Sequence, residues 1–254
     1  MEFRQRFEDH IKAENLFSPK DRLLLAVSGG VDSVVLCHLC KQAGLDFIIV
    51  HCNFKLRGED SERDEQFVKE LAASYNVPFY SKSFDTKILA LTHKKNIEET
   101  ARDLRYEWFY ELLNTRSSPI AEAQLPKFIV TGHHADDNIE TVVMNFFRGT
   151  GIKGMRGMLP KNGKIIRPLL FARRKEVEEY ASLHQLEYVS DHTNFENEYA
   201  RNFFRNRVLP MVREFFPQAE QNILHNTERF SGMEQLYSQA IAVHKKKLLE
   251  QKGA

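Results

Sequence analysis

The chain is 254 residues long, 42% of them hydrophobic and 28% charged, with a formal net charge of +1. That is ample for one large core, and the near balance of charge excludes a polyelectrolyte that binds nucleic acid over its whole surface. No stretch reaches the ~18 consecutive apolar residues of a membrane helix, and Met1-Glu2-Phe3-Arg4-Gln5 opens no signal-peptide apolar region, so no membrane partner and a cytoplasmic location are expected.

Apolar runs at 22–27, 46–52, 78–84 and 127–132 read as strands. Each is followed by helical periodicity, at 31–43, 61–76, 96–114 and 135–147. A shorter strand at 164–170 precedes a helix at 173–184. Beyond Pro210 the pattern changes: 218–251 reads as one or two helices with Ile223, Leu224, Phe230, Met233, Leu236, Ile241 and Leu248 as apolar positions. Ser117-Ser118-Pro119 only interrupts the connection at 114–126. The fold class is therefore α/β: a doubly wound, mainly parallel sheet of about five strands with a C-terminal helical extension, binding ligands outside the carboxyl ends of the strands.

The first strand runs through Leu25-Ala26-Val27 into Ser28-Gly29-Gly30-Val31-Asp32-Ser33 and a helix start. Adjacent glycines let backbone N–H groups turn toward an anion, and the helix adds unpaired donors and the positive end of its dipole. Asp32 is the odd member, because a carboxylate beside phosphate is repulsive unless a metal such as Mg²⁺ lies between them. The spacing fits neither the Walker A loop nor the dinucleotide fingerprint. The formal fingerprint at 149–154 follows a helix instead of a strand and is discounted. Two further strand ends carry polar clusters, His51-Cys52-Asn53 and Gly132-His133-His134-Ala135-Asp136-Asp137, so three ligand groups converge on one rim. Adjacent histidines rarely chelate one ion, so His133-His134 read as packing or hydrogen-bonding groups. Asp137 and Glu140 share a helical face, which suits magnesium binding or orientation of an amine, against helix capping as the plainer role of such acids.

Three cysteines, Cys37, Cys40 and Cys52, argue against a disulfide framework and for reduced thiols. From Arg148 to Lys175 stand nine basic residues in 28 positions with no acid: Arg148, Lys153, Arg156, Lys161, Lys164, Arg167, Arg173, Arg174 and Lys175. Exclusion of acids over this length favours a polyanion partner over a solvated loop. Arg201 and Arg205, four apart, project from one helical face toward a common anion.

The Ser-Gly-Gly-x-Asp-Ser loop resembles that of the ATP pyrophosphatases, or PP-loop superfamily, and the later motifs resemble the tRNA(Ile)-lysidine synthetase family over roughly residues 20–215. They are His51-Cys52-Asn53-Phe54-Lys55-Leu56-Arg57-Gly58, Ala101-Arg102-Asp103-Leu104-Arg105-Tyr106, the stretch from Gly132 to Thr141 with Arg148 to Met158 after it, and Asp191, Asn194, Arg201-Asn202 and Arg205. Phe54 departs from the family's usual histidine and takes no role. The resemblance implies an adenine nucleotide alpha hydrolase-like fold, a catalytic domain over 1–215, and a helical extension over 216–254 that could lead to a further tRNA-binding domain. It implies ATP and Mg²⁺ as cofactors, and as partners free L-lysine and the isoleucine tRNA with a CAU anticodon; a homodimer stays open. The implied reaction adenylates O2 of the wobble cytidine and then displaces AMP with the lysine amine, giving lysidine, AMP and pyrophosphate.

ATP would be held by Ser28, Gly29, Gly30, Val31, Asp32, Ser33 and His51; Asp32, Arg105, Asp137 and Glu140 would be catalytic, with Asp32 and Asp137 on the metal. Arg148, Lys153, Arg156, Arg201 and Arg205 would bind tRNA, and Phe195, Tyr199, Phe203 and Phe204 could stack on unpaired bases, although half of them at least read as helix core. The rival readings are a thiol-transferring tRNA enzyme of the same superfamily, suggested by Cys37-His38-Leu39-Cys40, an amide-forming synthetase acting on a small molecule, and a catalytically idle RNA-binding module.

Overall fold

The computed structural model describes residues 2–114, 125–189 and 199–250. Ser117-Ser118-Pro119, Asp191, Asn194, Phe195 and the side chain of Tyr199 lie outside the described residues. In chain order the elements begin with α1 (Phe3–Ala13), β1 (Leu23–Ala26), α2 (Val31–Gln42), β2 (Phe47–Asn53), α3 (Glu59–Tyr75), β3 (Phe79–Ser83), α4 (Thr86–His93) and α5 (Ile97–Asn114). They continue with β4 (Phe128–Val130), α6 (Ala135–Phe147), α7 (Gly151–Met155), β5 (Lys161–Asn162), β6 (Ile165–Ile166) and α8 (Arg174–Leu183). The chain ends with α9 (Tyr199–Phe203), a π-helical turn (Phe204–Val208), α10 (Leu209–Phe215) and α11 (Ala219–Glu250). Two compact units form: Met1–His134 with Pro160–His192, and Ala135–Leu159 with Thr193–Ala254.

The first unit is built on one six-stranded sheet of order β3-β2-β1-β4-β6-β5. All pairs are parallel except the edge pair β5 and β6. That edge hairpin adds a strand to the five expected from periodicity, and its two residues, Lys161 and Asn162, carry no apolar signal. The expected strand at 164–170 contracts to Ile165–Ile166, because Pro168 has no N–H to give to a ladder. Strand alternation sorts the core into two layers. Leu23, Leu25, Phe47, Ile49, Phe128 and Val130 pack with residues of α1, α2, α3 and α8. Leu24, Ile48, Val50 and Ile129 point the other way, onto Trp108, Phe109, Leu112 and Leu113 of α5. The sheet is therefore covered on both faces, as a parallel sheet must be. Chain order reverses between β1 and β4, which sets the switch-point crevice outside their carboxyl ends.

Helices α1 and α4 were not legible from periodicity. Phe7 of α1 is fully buried, and Arg6 ties the helix to Glu176 of α8 at 2.5 Å. In the second unit α6 packs against α7, α9, the π-helical turn and α11. Residues 219–250 form one helix of 32 residues. No helix among the described residues is long and apolar enough to cross a membrane.

Candidate active site

At the end of β1 the chain turns through Gly29 at φ +96°, a conformation that side-chain-bearing residues rarely adopt, and enters α2 at its N-cap, Gly30. No side chain caps that helix. The loop is instead braced internally: Gly30 N–H donates to Ser28 Oγ at 3.3 Å, Ser33 Oγ donates to the Gly30 carbonyl at 2.8 Å, and the two hydroxyls lie 3.4 Å apart. Amides and hydroxyls are thereby gathered at the positive end of a helix of 12 residues, the arrangement that binds phosphate. Asp32 stands in the first turn. It fits a phosphate site only with a cation bridging it to the anion.

The neighbouring strand ends close on this loop. Gly132, two residues beyond β4, lies so near the start of α2 that a Cβ there would sit 3.0 Å from the Asp32 carbonyl carbon and 3.2 Å from Ser33 N. The buried His134 brings Nε2 to 3.8 Å from Asp32 Oδ2. From β2, the buried His51 places Nδ1 2.9 Å from the carbonyl oxygen of Val27. A carbonyl only accepts, so Nδ1 carries the proton and Nε2 is the lone-pair nitrogen. Burial pushes the His51 pKa below its ordinary value, against the pull of that hydrogen bond and of Glu65 and Asp64, which keeps the ring neutral.

Three pairings on this rim are not set by sequence spacing. The first is Asn53, whose Nδ2 donates to Glu62 at 3.1 Å and to Glu65 at 2.8 Å, while its Oδ1 accepts from Lys55 N–H at 3.0 Å. Burial opposes ionisation of Glu65, but hydrogen bonds from Ser81 and Asn53 outweigh it and hold the carboxyl below its ordinary range. The second is the pair of Arg57 with the buried Asp64. The third is Phe54, which stacks on Phe84 and receives the guanidinium of Arg105 at 5.3 Å from its ring centroid.

The cysteine pair of the rival reading lies elsewhere. Cys37 and Cys40 are fully buried in the α2 core, and burial pushes both thiols well up. Cys52 on β2 is half-buried, its thiol pushed up to about 12 by burial. None is poised as a thiolate at neutral pH.

The second unit gathers a different set of the expected residues. Glu140 on α6, 1% exposed, is clasped by two arginines. Arg205 Nε and Nη2 meet its two oxygens at 2.5 and 3.1 Å, and Arg201 Nε reaches Oε2 at 3.1 Å. Arg205 also approaches Asp137 at 3.6 Å, and Arg201 Nη2 donates to Thr141 Oγ1 at 3.2 Å. The common anion of Arg201 and Arg205 is thus the Glu140 carboxylate in this structure. Burial raises the Glu140 pKa and Asp137 adds to the rise, while Arg205 and Arg201 pull it down. The π-helical turn carries Arg205, and such turns often occur where function imposes a helix distortion.

The acid-free block is divided by the fold, with 148–159 in the second unit and 160–175 in the first. Arg148 and Lys153 are exposed. Arg156 is engaged by Glu234 of α11 at 2.8 Å, and Arg174 by Glu178 at 2.8 Å. Lys161 and Lys164 sit with Lys127 around the Phe128 ring, and Arg167 is buried.

A family model for the PP-loop domain matches residues 2–212. Among curated proteins, tRNA(Ile)-lysidine synthases of Bacteroides thetaiotaomicron, Parabacteroides distasonis and Chlorobaculum tepidum are similar to the chain at 37%, 41% and 40% identity over 98%, 90% and 97% of its length. The chain covers 57%, 50% and 72% of those relatives, so it spans about half the length of the first two. Among solved structures, the U34-tRNA thiolase NcsA from Methanococcus maripaludis shares the fold with a TM-score of 0.68 at 19% identity, over 89% of this chain and 78% of that one.

Proposed function

The chain belongs to the PP-loop family and, within it, to the tRNA(Ile)-lysidine synthases, and from that premise we propose that it joins lysine to C2 of the wobble cytidine of the isoleucine tRNA bearing a CAU anticodon. The reaction runs in two balanced steps. Cytidine O2 attacks the α phosphorus of ATP and expels pyrophosphate; the ε-amine of lysine then attacks C2, and AMP departs with the former O2 oxygen. Direct exchange of that oxygen for an amine is slow because it is a poor leaving group, and adenylation removes the difficulty. The catalytic region is assigned to residues 1–215 and the helical extension to 216–254, acting in the cytosol.

The 28–33 loop receives the β and γ phosphates on its amides and on the hydroxyls of Ser28 and Ser33, with Val31 at the first helical position and His51 bracing the loop through the Val27 carbonyl. Asp32 would hold Mg²⁺, which typically needs only one or two carboxylates beside phosphate oxygens and would neutralise the departing charge. Arg105, oriented by Phe54, supplies positive charge near the nucleotide. The attacking lysine must lose a proton, and a carboxylate can take it. Asp137, whose contact to Arg205 is the longer, is assigned to the lysine ammonium. Glu140 is assigned to anchoring Arg201 and Arg205, which with Arg148, Lys153 and Arg156 meet tRNA phosphates.

The observation that carries this reading is the Gly29 turn at φ +96° into an uncapped helix bearing Asp32 at the switch point. The test adds ATP, CAU-anticodon transcript and lysine one at a time and measures nucleotide products. AMP and pyrophosphate that require all three are expected, whereas ADP, or no turnover, overturns the assignment. Cys37 and Cys40, the pair that suggested sulfur transfer, are sealed in the α2 core, which favours lysine as the incoming nucleophile.

A further inference from the structure

The second unit carries phenylalanines that the fold leaves in water. Phe146 and Phe147 close α6 at 64% and 68% exposure, and Phe203 closes α9 at 53%. They are not scattered. Phe146 meets Phe147 edge-on at 5.5 Å, Phe147 stacks on Phe204 at 5.4 Å and 28°, and Phe204 meets Phe203 edge-on at 5.9 Å. Single exposed apolar residues are ordinary on a protein surface, but a contiguous run of four rings marks a contact face.

The charge around the rings selects the occupant. No acid occurs in sequence from Thr141 to Lys175 or from Tyr199 to Arg213. Arg148, next to Phe147, and Arg207, three residues beyond Phe204, are exposed and make no ion pair among the described residues. Glu140 and Asp137 do not offset these cations, because they face Arg201 and Arg205. An apolar protein face is usually rimmed by both signs of charge. Rings flanked in sequence by exposed, unpaired guanidiniums and by no acid match a strand of unpaired nucleotides, which offers flat apolar faces and a phosphate at every step.

We propose that Phe146, Phe147, Phe203 and Phe204 form a stacking platform for unpaired bases of the substrate's anticodon loop, with Arg148 and Arg207 on the flanking phosphates. This rests on the tRNA reading above and extends it, assigning four residues that the ligation chemistry leaves unused. Phe147 stacks on Phe204 and stays 68% exposed, which leaves ring surface for a base.

The test compares binding of a CAU anticodon stem-loop with binding of a fully paired duplex, for the full chain and its Phe147→Ala, Phe203→Ala and Phe147→Trp variants. These side chains are exposed, and thermal melting verifies that the variants fold. Stem-loop affinity should fall on the order of tenfold in each alanine variant, duplex affinity should hold, and Phe147→Trp should restore stem-loop binding. The chain has one other tryptophan, the buried Trp108, so quenching of the Phe147→Trp emission by the stem-loop reports stacking. Unchanged stem-loop affinity overturns the proposal, as does an equal loss on duplex, which would mean charge without stacking. So does loss of self-association or of binding to anionic lipid vesicles with RNA binding intact. AMP release is measured in parallel. Stem-loop binding through these rings without AMP refutes the ligase reading alone, and AMP release with unaltered stem-loop affinity in the variants refutes the platform alone.

Discussion

Gly132→Ala is a small change with a large expected effect. The added methyl would stand 3.0 Å from the carbonyl carbon of Asp32, 3.1 Å from its oxygen and 3.2 Å from Ser33 N. Carbon atoms are comfortable at about 3.5–4.0 Å, and these neighbours are backbone, unable to swing aside as a side chain could. The phosphate loop must therefore retreat by several tenths of an ångström. Overpacking of this kind costs about 1–3 kcal/mol, which at about 2–4 °C per kcal/mol for a chain of this size lowers Tm by about 2–12 °C. The retreat falls on Asp32 and Ser33, and since a misplacement near 1 Å can cost about a hundredfold, kcat/KM for ATP should fall about ten- to a hundredfold. Gly232→Ala is the control: nothing lies within 4 Å of its Cβ position in the exposed middle of α11, so it should be neutral or stabilise by about 0.5–1 kcal/mol. Pyrophosphate release and thermal melting read both variants. A Gly132→Ala protein with unaltered kcat/KM and Tm would refute the close approach of Gly132 to the start of α2.

Glu140→Gln keeps the shape but removes the charge that clasps Arg201 and Arg205, so lysine-dependent AMP release should slow about tenfold or more while ATP affinity holds; equal rates in the two proteins would rule out an anchoring role. Burial opposes ionisation of Glu176, but Arg6 and the Arg173 amide outweigh it and hold the carboxyl below its ordinary 4.5. Its stabilising contribution is therefore complete above pH 4.5 and fades as pH falls through the lowered value. Glu176→Gln should flatten the acid side of a Tm-against-pH curve, and a slope unchanged below pH 4.5 would contradict this. Cys37 and Cys40 should resist iodoacetamide in the native protein and react only after unfolding, read by mass spectrometry; native labelling of either would contradict their burial.

The strands of the first unit were legible because a parallel sheet covered on both faces needs unbroken apolar runs, such as Leu23-Leu24-Leu25 and Phe47-Ile48-Ile49. The phosphate loop was legible because it is local: six consecutive residues carry both the turn and the donors. What periodicity could not supply was pairing across the chain. Asn53 with Glu62 and Glu65, and Gly132 against Asp32, join residues from different elements. The acid-free block shows the same limit: in sequence it is uniformly basic, yet Glu234, some eighty positions onward, engages Arg156. Phe146 and Phe147 close the helical pattern at 135–147, and periodicity assigns them no role; only their exposure distinguishes them.

Asp32 separates a structural role from a functional one. An acid in the first turn of α2 is welcome to the helix dipole, typically by 0.3–1 kcal/mol, so folding alone would tolerate it. The arrival of a polyphosphate at the same amides reverses that sign, because two anions then share one helix end, and only an intervening cation restores the balance. Asp32→Asn consequently has opposite expectations in the two roles. Stability should drop by about 0.3–1 kcal/mol, while ATP measured without magnesium should bind as well as before or better, since a repulsive charge is gone. The tightening of ATP binding that magnesium confers on the wild-type protein should vanish. Calorimetric titration of ATP with and without magnesium decides it: if Asp32→Asn retains the full magnesium effect, the cation is held elsewhere and Asp32 serves only the helix.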